Sequence, residues 1–290
     1  MRFRPSGIVL AVCAAIALAG SQLAMPLSAE ATTASTTARA TVHPSQAPSR
    51  PVAYVPLRSS YSTGARSDVH FRNMDYNGGP VMPSNTNYMV LWSPAGLSAY
   101  PAGYVSGLKT YFKDLAHDSG GHQNVDSVSA QYNDSTGAFS RYQSTFGGAL
   151  LDKDPYPPTE CPAAAPVTAC LTDPQIQAEL EHFVGHLGLK TDLSHEYFLL
   201  PPPGVESCFS NDPNANPAFG GCSAGEPINL AFFCAYHGNT TVSPMLLYAD
   251  DPFDATNPLC QDGNNPTGSI AGGQINGGLS HEQNLSLIHI

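Results

Sequence analysis

From about His70 onward, apolar residues fall into short runs and helical stripes separated by Gly, Pro and Asn. Tyr88-Met89-Val90-Leu91-Trp92 is continuous, short and rich in β-formers, the signature of a buried strand. Tyr104, Leu108, Tyr111, Phe112 and Leu115 then recur at three- and four-residue spacing, which predicts a helix ended by Ser119-Gly120-Gly121. Val128, Ala130 and Tyr132 alternate and predict a strand. A second helix has Asp173 as N-cap, Pro174 at its first position, and Ile176, Leu180, Phe183, Val184 and Leu187 on one face. Apolar runs at 197–200, 230–236 and 245–248 predict three further strands. Strands and helices alternate early and strands cluster later, so the expected fold is α/β or α+β: a mixed sheet with flanking helices, loop-rich, a class that includes zincin-like architectures.

The pattern before this domain is different. Arg2 and Arg4 precede an apolar stretch at 8–20 that is too short to span a bilayer, and Ala29-Glu30-Ala31 offers a cleavage site. Residues 1–31 are expected to be a signal peptide cut after Ala31. Cys13 follows Val12 inside the apolar stretch, which argues against a lipoprotein, and leaves with the signal. Residues 32–68 are rich in Ser, Thr, Ala and Pro, carry Arg39, Arg50, Arg58 and Arg66, and show little apolar periodicity. They are expected to be a disordered linker, either a spacer or a cleaved pro-segment. That leaves 69–284 as a single globular domain, and no later segment is apolar enough to cross a membrane, so the expected location is extracellular.

Charge and cysteine content narrow the class. Lys and Arg number 12 against 23 acidic residues, and none lies beyond Lys190. Nucleic acid and anionic lipid both require cationic side chains to displace counterions, so neither is an expected partner. An extracellular peptide or cell-surface ligand fits the composition better. Cys161, Cys170, Cys208, Cys222, Cys234 and Cys260 form an even set of the kind that pairs in an exported chain. Six cysteines admit about fifteen connectivities; sequential pairing is expected.

Several local motifs have simpler readings. His182 and His186 stand one helical turn apart, a spacing that can grip zinc, but both project away from the apolar stripe and toward solvent. Phe183 occupies the place where H-E-x-x-H has its base. Cys234 and His237 resemble a thiol and base only if the cysteine stays reduced, which an exported even set argues against. Ser106-Gly107-Leu108-Lys109 matches S-x-x-K on an ordinary amphipathic helix. The Asp and Asn clusters at 211–216 and 262–265 lack the ligand order of a calcium loop and read as turns. Ser280-His281-Glu282 follows a glycine-containing stretch, while Ser194-His195-Glu196 shows how readily the same tripeptide arises.

Asp75-Tyr76-Asn77-Gly78-Gly79-Pro80-Val81 leading into the strand that ends at Trp92 resembles the opening of the EXORDIUM, or phosphate-induced protein 1, family. Phe233-Cys234-Ala235-Tyr236-His237-Gly238, then Asn265-Pro266-Thr267-Gly268 and Gln274-Ile275-Asn276, resemble its later landmarks in the same order, over about residues 70–284. Plant members imply a non-catalytic extracellular or cell-surface protein. Bacterial relatives continue Ser-His-Glu as H-E-x-x-E on the final helix, which implies a zinc-dependent, peptidase-like hydrolase with His281 as metal ligand and Glu282 as general base. Here the fifth position is Leu285. Moreover, Leu285-Ser286-Leu287-Ile288-His289-Ile290 is the translation of CTG TCT CTT ATA CAC ATC, the transposon end used in sequencing-library adapters. Residues 285–290 are therefore expected to be adapter read-through that truncates the domain at 284, His289 is given no role, and the printed chain is expected to be inactive.

Overall fold

A computed structural model describes residues 53–56, 78–121, 125–161, 167–209, 221–223, 233–240, 245–261, 265 and 267–288. The signal-peptide region, most of 32–68, 230–232, the Asn-rich stretch at 211–216, 262–264 and His289 lie outside them.

The fold is a mixed α/β sheet flanked by helices. Four strands, β2 (Asn85–Trp92), β3 (Ser144–Asp152), β5 (His195–Leu199) and β8 (Leu247–Asp250), run parallel, and β7 (Phe233–Asn239) runs antiparallel beside β8. Outside β7 lies β1 (Ala53–Pro56), also antiparallel, completing the order β1-β7-β8-β5-β2-β3. This edge strand falls within the stretch expected to be linker. Tyr54 and Val55 favour extended backbone, and Pro56 is tolerated at a sheet edge, where its missing N–H breaks no central ladder.

Alternation along the central strands separates two cores. Met89, Leu91, Phe198 and Ala249 face helix α1 (Tyr104–His117), which buries Tyr104, Leu108, Phe112 and Leu115 against them. Val90, Trp92, Tyr197, Leu199, Tyr236 and Tyr248 face α2 (Asp173–His186) and its Ile176, Leu180 and Val184. Both helices therefore hold their apolar stripes against opposite faces of one sheet.

Three local expectations are corrected. The segment Val125–Gln131 is a 3-10 helix, not a strand: Ser129 is buried while Val128 is 51% exposed, so the apparent alternation does not follow the core. The N-cap of α2 is Thr172, whose N–H donates to Gln175 Oε1 at 2.9 Å. Asp173 is drawn inward, accepting from Tyr236 Oη at 2.8 Å, Tyr248 Oη at 2.5 Å and Gln177 Nε2 at 2.7 Å. Leu187 lies past the last helical residue and is exposed, next to Gly188 with φ +63°.

The cysteines pair in sequence order, Cys161–Cys170, Cys208–Cys222 and Cys234–Cys260. The first two pack together beside a small parallel pair, β4 (Ala169–Thr172) and β6 (Val205–Cys208). The third ties β7 to the loop that precedes the last helical segment. Three disulfides are compatible with an extracellular protein.

Candidate functional site

The chain closes with α3 (Ile270–Gln274), a π-helical turn (Ile275–Leu279) and α4 (Ser280–Ser286). Its glycines permit a close approach to the sheet. A Cβ on Gly273 would stand 2.2 Å from the Ala255 carbonyl oxygen, one on Gly277 2.4 Å from Asp254 Oδ2, and one on Gly278 2.6 Å from the Ala235 Cβ. Nothing larger than hydrogen fits at these positions, and wide π turns of this kind concentrate at functional sites. Gly107 serves the same purpose on α1, where a Cβ would meet that of Ala271 at 2.4 Å.

This packing sets Glu282, in the first turn of α4, directly over His237 of β7. Glu282 Oε2 and His237 Nδ1 are 2.6 Å apart, with both side chains almost wholly buried. Burial pushes the Glu282 carboxyl well above its ordinary pKa, and no hydrogen-bond partner reaches its Oε1. His281, on the neighbouring face of the helix, reaches solvent although part of its side chain packs against the protein. Desolvation, followed by the nearby His237, lowers its pKa, so its imidazole is neutral near pH 7.

Around the pair lies a layer of buried acids. Glu196, on the same face as Phe198, is pushed to about 8 by burial, which outweighs the lowering effect of Ser286, with Glu282 raising it further and Asn85 lowering it least. Asp251, directly after β8, is raised by burial and by Glu282, Asp250 and Glu196, and Asp254 by burial and by Asp251. On the opposite face Asp250 is pushed to about 8, chiefly by burial, although Ser207 Oγ donates to it at 2.5 Å. Burial raises the phenols of Tyr104 and Tyr111, followed for Tyr104 by Asp254 and Asp251 and for Tyr111 by Asp126 and Tyr142 ahead of Asp251 and Glu196. Among the described residues the ion pairs all involve histidine, and no Lys or Arg neutralises this layer. The acids are therefore held as neutral carboxyls over much of the ordinary pH range.

Three side-chain groups bring ligand atoms close enough to share a metal ion: Cys161, Cys170 and Cys208; Cys234, Asp254 and Cys260; and Asp152, Asp154 and Glu179. The first two consist largely of disulfide sulfurs, which are not thiolates. None contains His281. Zinc at His281 does not fit the residues present: Leu285 occupies the next turn, and Glu282 turns down to His237 rather than across to a shared ion. His182 and His186 are exposed, as expected from their helix face, and His182 Nε2 lies 3.4 Å from Asp154 Oδ2. Ser106 hydrogen-bonds back to the Gly103 carbonyl within α1, in keeping with an ordinary helix.

His237 and Glu196 are the residues that motif reading passed over. His237 draws attention in sequence only as a partner for Cys234, and Glu196 only as part of a repeated tripeptide. A usable signal lies in composition: two consecutive aspartates, Asp250 and Asp251, close an apolar strand in a region without a single Lys or Arg. Comparison of the chain with protein families, with curated proteins and with solved structures returns no match.

Proposed function

We propose that this chain is an exported hydrolase, peptidase-like in class, whose acid–base centre is the Glu282–His237 pair, with His281 on the solvent side of the same helix. The observation that carries the reading is the 2.6 Å hydrogen bond that joins these two buried groups, 45 residues apart in sequence. Hydrolysis requires a proton to be taken from water and another to be given to the leaving group. Neutral His281 is suited to the first task. The second needs a proton held close by, and Glu282, which keeps its proton because it is buried against His237, is the acid next to His281 on this helix. The substrate would enter over the exposed face of α4.

A metal-dependent form of this activity needs a second ligand one turn from His281, which Leu285 does not supply. Leu285→Glu places a carboxylate there, on the same helix face. The test is fluorogenic peptide hydrolysis and zinc content, measured on the parent chain, on Leu285→Glu and on Leu285→Glu/His281→Ala. Peptide cleavage by either the parent or Leu285→Glu that disappears on Glu282→Gln supports a hydrolase. Stoichiometric zinc in Leu285→Glu, lost in the double variant, assigns it to the metal-dependent kind.

The second reading is a non-catalytic extracellular binding protein, which the resemblance to plant EXORDIUM proteins implies. Its support is the complete burial of Glu282, which leaves His281 as the exposed member of the motif. A folded, zinc-free Leu285→Glu variant with no cleavage would establish this reading over the first.

A further inference from the structure

At the C-terminal end of β3, away from the His237–Glu282 pair, the strand finishes at Asp152 and the chain turns through Lys153 to Asp154. Asp154 N–H donates to Asp152 Oδ1 at 2.9 Å, and the Asp154 carbonyl accepts from the Trp92 indole at 3.0 Å, so both aspartates are held against the sheet. Helix α2 presents Glu179 and His182, three residues apart on one face, to the same point. One oxygen from each of Asp152, Asp154 and Glu179 lies within 4.8 Å of the others. His182 borders the group through its contact with Asp154.

We propose that Asp152, Asp154 and Glu179 form a binding site for a hard divalent cation of the calcium class. An acidic cluster alone would not carry this. Asp152, however, is 1% exposed, and no N–H or hydroxyl donor reaches its Oδ2. What faces it is the carboxyl of Glu179, whose own Oε1 is buried without a donor. Two carboxyls in this position are satisfied only by a shared proton or by a cation. Lys153, the nearest candidate counter-charge in sequence, runs its side chain along Gly96. Three carboxyls with no Lys or Arg partner among the described residues, and with only His182 bordering them at Asp154, match the preference of calcium for oxygen ligands, with water completing the shell. The site lies on the α2 side of the sheet and does not depend on the proposed hydrolase activity.

Trp92 is the single tryptophan and bonds directly to Asp154, so its emission reports on the loop. The experiment titrates calcium into the chelator-treated full chain, following Trp92 fluorescence and binding heat. The expected result is saturable one-to-one binding with a dissociation constant on the order of 10⁻⁴–10⁻³ M, the range of extracellular calcium modules. Glu179→Gln and Asp154→Asn should each weaken binding about tenfold or more, while His186→Ala leaves it unchanged. Both acidic substitutions fall at partly exposed positions, and a thermal melt of each variant confirms its folding. Absence of saturation at about 10 mM calcium, tenfold above the weak end of that range, overturns the proposal. So does calcium affinity indifferent to Glu179→Gln, or tight zinc binding that requires His182 while calcium does not bind.

Discussion

The buried acids make a prediction about stability that runs against the usual behaviour of carboxylates. Glu196 in the folded chain holds its proton up to about pH 8, whereas its ordinary value is 4.5. Between those two pH values the native state binds more protons than the unfolded state, so raising the pH lowers the free energy of unfolding. A gap of about 3.5 pH units at about 1.4 kcal/mol per unit gives about 5 kcal/mol, fully present as stability below pH 4.5 and lost by about pH 8. Asp250, pushed from 3.8 to about 8, acts in the same direction. Relative to a typical protein, whose paired carboxylates make it more stable as pH rises from acid, this chain should be most stable on the acidic side.

Glu196→Gln isolates one contribution. Glutamine keeps the shape of a protonated glutamate and cannot ionise, and Asn85 and Ser286 lie near to accept or donate to its amide. At pH 4.5 the variant should match the parent to within about 1 kcal/mol, the net worth of a single hydrogen bond. At pH 8 it should be more stable by about 3–5 kcal/mol, approaching the full linkage. Urea denaturation with disulfides intact measures this at each pH, with buried Trp92 as the reporter of unfolding. Equal destabilisation of Glu196→Gln at pH 4.5 and pH 8 would refute the reasoning. So would a parent that gains stability steadily from pH 5 to pH 8, because that requires these acids to be ionised and compensated in the folded state.

Other consequences concern the supports of the same layer. Replacing Cys234 and Cys260 together by serine removes a bridge across 26 residues that anchors β7, with an expected loss of about 3–4 kcal/mol and a lower thermal midpoint under non-reducing conditions. Gly278→Ala forces a methyl to within 2.6 Å of the Ala235 Cβ, so α4 must lift from the sheet; calorimetry should find about 1–3 kcal/mol of destabilisation, and an unchanged melting temperature would contradict this packing.

Periodicity made α1 and α2 legible because their buried positions repeat at helical spacing, and β2, β5 and β8 were legible as short continuous apolar runs buried on both faces. It failed where something else sets burial. The segment Val125–Gln131 alternates in hydropathy, yet a 3-10 turn buries its Ser129 and exposes Val128. β3 carries Gly147 and Gly148 at its centre, which removes the β-forming signal; Gly147 is required because a Cβ there would strike the Tyr88 ring at 2.4 Å. β4 and β6 are four residues each and lie beside two disulfides, so their apolar content is too short to read. The candidate site was hidden for a different reason. Its partners His237 and Glu282 belong to a strand and a helix far apart in the chain, and local motifs carry no record of that pairing.

One global feature did reach that site. The lack of Lys and Arg beyond Lys190 reads first as an expectation about partners, against polyanions. It has an equally direct consequence inside the fold. Glu196, Asp250, Asp251, Asp254 and Glu282 all follow Lys190, so no Lys or Arg of the same region can offset their burial. A buried acid without a cation is stable only when it keeps its proton or binds a metal. The composition of the last hundred or so residues thus implies neutral buried carboxyls before any contact is known, and neutral carboxyls that retain their protons near pH 7 are the groups a protein would use as general acids.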